Sequence, residues 1–399
     1  MEVPRRVLML APEPVFTPRG TPFSVVGRLK AYSDEGVRVD LVTYHLGQDV
    51  ALPGVRFHRI WALPGVRRVK VGPSWIKPVL DALLLARTLS VWRPFRYDLV
   101  HTHEEAGLVG AFLREFTGCA HVYDMHSSLA QQMTNFRFSS SRWAIRTMES
   151  LERFILSHCD SVLVICEDLR RYVQALGFGH KLYLLENTLD YSFLWDEGTP
   201  GSLTLDSALP RPWVVYVGTL EPYQGMELLL SSVRILRDRS AWVGSLLIAG
   251  GHTDQVEAYR GLAQELGLDG LVHFLGTVHP GAADHLVRAA DVLVSPRVSG
   301  TNTPLKIYSY LRSGKPIVAT DIWSHTQVLS PDVCALVAPE PEAFAAALSR
   351  LLHDEGLRRD LGERAKRYAA TRFSDQRYRQ TLLAAATEAI ARRKTTCAA

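Results

Sequence analysis

A chain of 399 residues with 47% hydrophobic and 22% charged residues is globular and longer than one hydrophobic core usually supports, which predicts two domains. A net charge of +4 is too mild for a nucleic-acid partner, and no uninterrupted apolar stretch reaches membrane-spanning length. The five cysteines, Cys119, Cys159, Cys166, Cys334 and Cys397, lack paired metal spacing and read as reduced core thiols of a cytoplasmic protein.

Along the chain, short apolar or β-branched runs alternate with longer amphipathic segments, the pattern of an α/β protein with helices on both faces of a parallel sheet. Strands are expected at 7–11, 37–43, 99–101, 120–123, 161–165 and 182–185. Residues 195–212, WDEGTPGSLTLDSALPRP, break every periodicity and read as a linker. Alternation restarts at 213–217, 246–249, 272–275, 292–295, 317–319 and 335–338. Two Rossmann-like, doubly wound domains follow, 1–194 and 213–373, with a helical tail at 374–399 that crosses back to the first. Open α/β sheets bind ligands outside the carboxyl ends of their strands, so function belongs in the strand-to-helix loops, with two such edges facing a central cleft.

The most informative loop lies in SPRVSGTNTPLKIYSYLRSGKPIVAT, residues 295–320. Thr303 suits an N-cap and Pro304 a first helical position, while Leu305, Tyr308 and Leu311 form an apolar stripe that Gly314 ends. The N–H groups of Thr301, Asn302, Thr303 and Leu305, with the positive end of the helix dipole, make an anion seat. Arg297 and Lys306 bring cations to it. A cation in a first helical turn opposes the dipole, so a bound anion accounts for Lys306 better than helix stability does.

Three other loops join it. GTLEPYQG, residues 218–225, follows a strand, and Gly250 with Gly251 ends another, permitting close approach of a ligand to the backbone. In the first half, Gly20 and Thr21 open a helix that can point N–H groups at a phosphate. Neither G-x-G-x-x-G nor a P-loop is present there.

The order YVGTLEPYQGMELLL, FLGTVHPGAADHLVRAADVLVSPR and TPLKIYSYLRSGKPIVATD, with HTHEEAG and VYDMHSS upstream, resembles the retaining GT-B glycosyltransferases of the large family four. The resemblance spans nearly the whole chain. It implies a donor nucleotide diphosphate sugar, UDP- or GDP-linked, on the C-terminal domain, and a sugar, lipid-linked or other small-molecule acceptor mostly on the N-terminal one. Domain closure, retention of configuration, and no required metal or other cofactor are implied as well. Carried over residue by residue, the donor would meet Gly20, Thr21, Gly218, Thr219, Gln224, Gly250, Gly251, Val278, Thr301, Asn302, Thr303, Pro304, Leu305 and Ser309. Arg297 and Lys306 would stabilise the leaving diphosphate, and His126, just past a strand, would act on the donor sugar and not on folding.

The chain departs from the family pattern in four places. Thr301 and Ser309 stand where the family commonly has two glutamates, and Thr219 and Gln224 where it often has arginine and lysine. A GT-B scaffold without donor chemistry, serving as a binding or regulatory subunit, is therefore an alternative. A nucleotide-sugar epimerase is another, with Asp124, Glu104 or Glu105 as base. His101 and His103 form an H-x-H on a strand with no third ligand at standard spacing, which predicts a cleft-lining strand end rather than a metal site. His103, Glu104, Glu105 and Asp124 are assigned to the acceptor side.

Residues 51–100 carry nine Arg/Lys against two Asp, a surplus of seven positive charges, interleaved with Trp61, Trp75, Trp92 and Phe95. This mixture suits an anionic membrane surface or a lipid-linked phosphate, and a peripheral place at the inner face of the cell membrane.

Overall fold

The computed structural model describes residues 3–17, 20–67, 69, 74–130, 142–188, 191–194, 209–239 and 244–398. Of the expected linker, only 209–212 falls within them. The chain divides into two compact units, 1–189 with 375–399, and 190–374.

The first unit is built on a wholly parallel sheet of β1 (Arg6–Ala11), β2 (Arg38–Thr43), β3 (Val55–Arg59), β4 (Leu99–His103), β5 (Ala120–Met125), β6 (Ser161–Val164) and β7 (Leu182–Leu184). Their spatial order is β3-β2-β1-β4-β5-β6-β7, and the chain reverses direction across the sheet between β1 and β4. Between them run α1 (Gly20–Asp34), α2 (Lys77–Val91), α3 (Gly107–Thr117), α4 (Arg142–Ser157) and α5 (Glu167–Ala175). β3 was not among the expected strands. Its sequence VRFHR carries three basic residues in five, and as an edge strand it stays half-exposed, so it lacks the apolar run that marks the others.

The second unit has β8 (Trp213–Val217), β9 (Ser245–Ala249), β10 (Val272–Gly276), β11 (Val292–Ser295), β12 (Ile317–Thr320) and β13 (Ala335–Val337), in the parallel order β10-β9-β8-β11-β12-β13. Its helices are α6 (Met226–Asp238), α7 (Thr253–Glu265), α8 (Pro280–Ala289), α9 (Lys306–Ser313), α10 (Trp323–Thr326), α11 (Pro341–His353) and α12 (Glu355–Arg372). The two faces of the sheet feed two cores. Val214 and Tyr216 pack with Leu229, Val233 and Phe344, whereas Val215 and Leu293 pack with Ile307, Leu311 and Ala365. Burial on both faces is why these strands read as unbroken apolar runs.

The last helix, α13 (Asp375–Ala398), belongs to the first unit. It buries Tyr378, Leu382, Ala385, Ala386 and Ala389, one face at helical spacing. Among the described residues no helix is long and apolar enough to cross a membrane. Cys119, Cys159, Cys166 and Cys334 are free and buried.

Candidate functional site

In the second unit, loops at the carboxyl ends of β8, β9 and β11 converge. α9 begins at Lys306, with Leu305 in the cap position, and not at Pro304 as the sequence suggested. The difference is a tight turn, in which the Ile307 N–H donates to the Pro304 carbonyl at 3.0 Å, that delays the regular helix. Thr303 therefore does not cap it. Its Oγ1 is buried without a partner among the described residues, and the N–H groups of Thr301, Thr303 and Leu305 donate to nothing there.

Beside these donors sit two cations. The Lys306 Nζ lies 3.7 Å from the Tyr216 ring centroid and donates to Gln224 Oε1 at 3.3 Å. Arg297 lies 5.0 Å from the centroid of Tyr223 and donates to the carbonyls of Ser299 (2.7 Å) and Asn302 (3.1 Å). Neither has a carboxylate partner among the described residues. Burial, then the charge of Arg297, pushes the Lys306 ammonium well below its ordinary value. Two neighbouring cations, partly desolvated and uncompensated, form a site that gains most from an anion.

The glycines there are required by geometry. A Cβ on Gly250, at φ +122°, would lie 1.9 Å from the Gly218 carbonyl oxygen, and one on Gly225, at φ +74°, 2.0 Å from that of Pro296. Gln224 Nε2 donates to Thr219 Oγ1 at 3.4 Å, so these two residues, standing where the family often has cations, form a neutral pair beside Lys306. Gly251 abuts Leu220, Val278 packs against the core, and Ser309 is exposed and bonded to the Lys306 carbonyl. His325, which sequence reasoning passed over, fixes the loop from behind. It is bonded to Ser295 Oγ at 2.8 Å and to the Thr320 carbonyl at 2.9 Å, while Thr320 Oγ1 donates to the Arg297 carbonyl.

In the first unit, α1 opens at Gly20 with Thr21 in its first turn, and the carboxyl ends of β4 and β5 hold a buried network centred on Asp124. Asp124 accepts from Arg28 Nε at 2.8 Å and lies within 3.3 Å of His101 and of His126 and 3.7 Å of His103. His103 Nδ1 and His126 Nε2 are 2.9 Å apart. Arg28 also donates to Asn187 (2.8 Å), Tyr378 of α13 (2.6 Å) and the Leu185 carbonyl (3.3 Å). Burial opposes ionisation of Asp124, but Arg28 and then the imidazoles outweigh it and hold the carboxyl well below its usual range. Burial keeps His126 at about 4 and His103 well below its ordinary value, so both are neutral at pH 7.

His126, expected to act on the donor sugar and not on folding, is 3% exposed and bonded within this network. One expectation changes here. The H-x-H does find a third group. Asp124, across the ladder from His103, comes with both imidazoles within 4.8 Å. Its Oδ2 is already bonded to Arg28, whose positive charge opposes a metal ion at the same oxygen.

Alongside, Glu104 has a left-handed backbone (φ +49°) and accepts from Ser127 Oγ at 3.1 Å. Burial and then the charge of Glu105 push it up to about 8. Glu105 pairs with Lys77 at 2.7 Å, and Tyr44 bonds Asp81, which burial and then Glu105 raise to about 7. Arg28 lay outside the sequence reading, and Lys77 and Asp81 entered it only through the charge count of residues 51–100. In the basic stretch 51–100, Trp61 and Trp75 are exposed, whereas Trp92 stacks on Tyr97. Arg68 and Lys70 lie outside the described residues.

These burials predict acid sensitivity. His121, His126 and His325 are held near 4 by burial, against about 6.5 in an unfolded chain. From about pH 6.5 down to about 4, the unfolded chain binds protons that the native one does not, so stability is lost as pH falls, by up to ~1.4 kcal/mol per pH unit per histidine. Glu104 and Asp81 run oppositely, holding protons in the native state that the unfolded chain releases, and cancel part of the slope. Melting curves should show a lower Tm at pH 5 than at pH 7. A Tm that rises on acidification would contradict the neutral histidines.

Family comparisons agree with this architecture. Residues 205–368 match the model "Glycosyl transferases group 1", and residues 24–187 match "Glycosyl transferase 4-like domain". A D-inositol 3-phosphate glycosyltransferase of Corynebacterium glutamicum is 27% identical over 290 residues, covering 69% of this chain and 68% of its own. Among solved structures, a sucrose-phosphate synthase from Thermosynechococcus elongatus superposes with a TM-score of 0.73 at 20% identity, covering 94% of this chain and 96% of that one. An Anabaena protein solved with UDP and glucose gives 0.70 at 17% identity, covering 94% and 97%. With both family models matched in turn along the two units, and the parallel sheets they require in place, the chain belongs to the GT-B glycosyltransferases of the group 1 type.

Proposed function

We propose that this glycosyltransferase moves a hexosyl group from a nucleotide diphosphate sugar to an acceptor hydroxyl, with retention of configuration and without a required metal. The observation that carries the reading is the pair of uncompensated cations, Arg297 and Lys306, beside the open N–H groups ahead of α9 and the glycine turns at 218 and 250. A diphosphate supplies the missing negative charge, and the glycines leave room for it. The Anabaena neighbour was solved with UDP and glucose, which supports a uridine donor. The relative named for D-inositol 3-phosphate supports a small polyol or phosphorylated acceptor.

In this reaction the acceptor oxygen bonds to the anomeric carbon on the face from which the diphosphate leaves. The leaving phosphate oxygen takes the acceptor proton, so no protein nucleophile is needed. Arg297, Lys306 and the α9 dipole stabilise the charge that develops on the diphosphate, the part a divalent cation plays elsewhere. His126, neutral, holds the donor sugar by hydrogen bonding, and Glu104 and Glu105 meet the acceptor.

A thermal-shift screen of UDP, GDP and ADP with their sugars tests the donor. The bound nucleotide at 100 times its Kd raises stability by about 2.7 kcal/mol. Arg297→Ala and Lys306→Ala should each weaken that nucleotide by about 1.5–3 kcal/mol, tenfold to roughly hundredfold. Unchanged affinity in both variants would overturn the assignment, and loss of transfer on adding EDTA would overturn metal independence.

A further inference from the structure

The opposite edge of the first sheet carries a second concentration of charge that the transferase reading does not use. The strands are parallel, so their amino ends share one edge, and four adjacent strands each deliver an arginine there. In spatial order these are Arg56 of β3, Arg38 of β2, Arg6 of β1 and Arg96 just ahead of β4. They line a cavity of about 460 Å³ whose acidic member is Asp40. That carboxylate is already shared, with Arg6 at 3.2 Å, Arg96 at 3.6 Å, His58 at 2.9 Å and the Tyr97 hydroxyl at 3.0 Å. Arg38 and Arg56 make no ion pair among the described residues, and the Arg96 Nε is buried without an acceptor there. Beside Arg96, Phe95 is fully exposed with a left-handed backbone (φ +57°), a conformation that a bulky residue rarely adopts and that no burial offsets here.

Four guanidinium groups against one committed carboxylate leave a surplus of three positive charges around a concave surface. Guanidinium forks match phosphate oxygens in pairs, and such a surplus concentrates anions. We propose that Arg6, Arg38, Arg56 and Arg96 form a second, phosphate-recognising site at the amino-end edge of the first sheet, for a phosphate group carried by a free solute or by a lipid headgroup. The site stands independently of the donor reading, because all its residues lie in the first unit.

The test uses the full chain carrying Arg297→Ala and Lys306→Ala, so that phosphate binding at the donor loops is removed, with and without Arg38→Glu plus Arg56→Glu. Pyrophosphate binding is measured by calorimetry at low salt, and retention on phosphatidylcholine vesicles with and without phosphatidic acid by sedimentation. The charge reversals should weaken pyrophosphate at least tenfold, or abolish vesicle retention that salt also abolishes. Loss of the first alone assigns a free phosphate ligand. Loss of the second, accompanied by reduced retention in Phe95→Ala, assigns a lipid headgroup. Pyrophosphate and vesicle binding that both survive the reversals would overturn the proposal, and Arg38→Gln plus Arg56→Gln gives the same readout should the reversed chain fail to fold. Failure of the donor reading shows elsewhere, as unchanged nucleotide affinity in the background variant.

Discussion

Arg28→Ala is expected to be among the most damaging single substitutions in the protein, costing about 3–5 kcal/mol of stability, the range for removing one partner of a buried ion pair. Arg28 and Asp124 are both fully buried, and the guanidinium also satisfies Asn187, Tyr378 and the Leu185 carbonyl. Its loss leaves a buried carboxylate facing three imidazoles. That carboxylate must then either remain charged without its main partner or draw a proton onto a histidine. Chemical denaturation of the wild type and the variant measures the cost. A loss under about 1 kcal/mol, the size of an exposed pair, would show that the network does not depend on the guanidinium. Pairing Arg28→Met with Asp124→Leu should restore much of what Arg28→Met alone loses, because the penalty lies in the unpaired charge and not in the missing bond.

Lys306→Ala should reduce turnover at saturating donor by about 10²–10³, or 2.7–4 kcal/mol, the cost of removing one preorganised donor to developing charge. This exceeds the loss in nucleotide affinity, because the leaving diphosphate carries more charge in the transition state than in the bound sugar donor. The distinction is measurable as a fall in kcat over and above any rise in KM. Lys306→Arg keeps the charge but replaces a compact ammonium stacked on Tyr216 with a planar fork, and should recover part of kcat. A Lys306→Ala enzyme with unchanged kcat would place the leaving-group charge elsewhere.

Both variants separate what was legible in the sequence from what was not. Trp213–Val217 and Val292–Ser295 announce themselves because burial on both faces demands uninterrupted apolar residues, and Arg297 and Lys306 because a glycine- and proline-marked loop sits between them. Arg28 gives no such signal. It lies in an ordinary helix, 96 residues from Asp124 and 350 from Tyr378, and the strand order of the sheet together with the packing of α13 against it brings the three together. His325 is hidden in the same way, 30 residues from the Ser295 it holds. The start of α9 was misplaced by two residues because cap preferences describe an isolated helix, whereas Thr303 and Pro304 here belong to the loop that presents Lys306.

The position of α13 reverses the order in which the two halves can be completed during synthesis. The second unit is one continuous stretch of chain, whereas the first awaits residues 375–399 before Arg28 can meet Tyr378 and before Leu382 and Ala386 cover the strands beneath them. The half encoded first is thus the half finished last. Until then its sheet carries an apolar patch and a charged arginine short of one acceptor, which is a state for a chaperone to shield. A fragment ending at residue 189 should therefore be insoluble or only loosely folded when made alone, and should gain order when a peptide of residues 375–398 is supplied in trans.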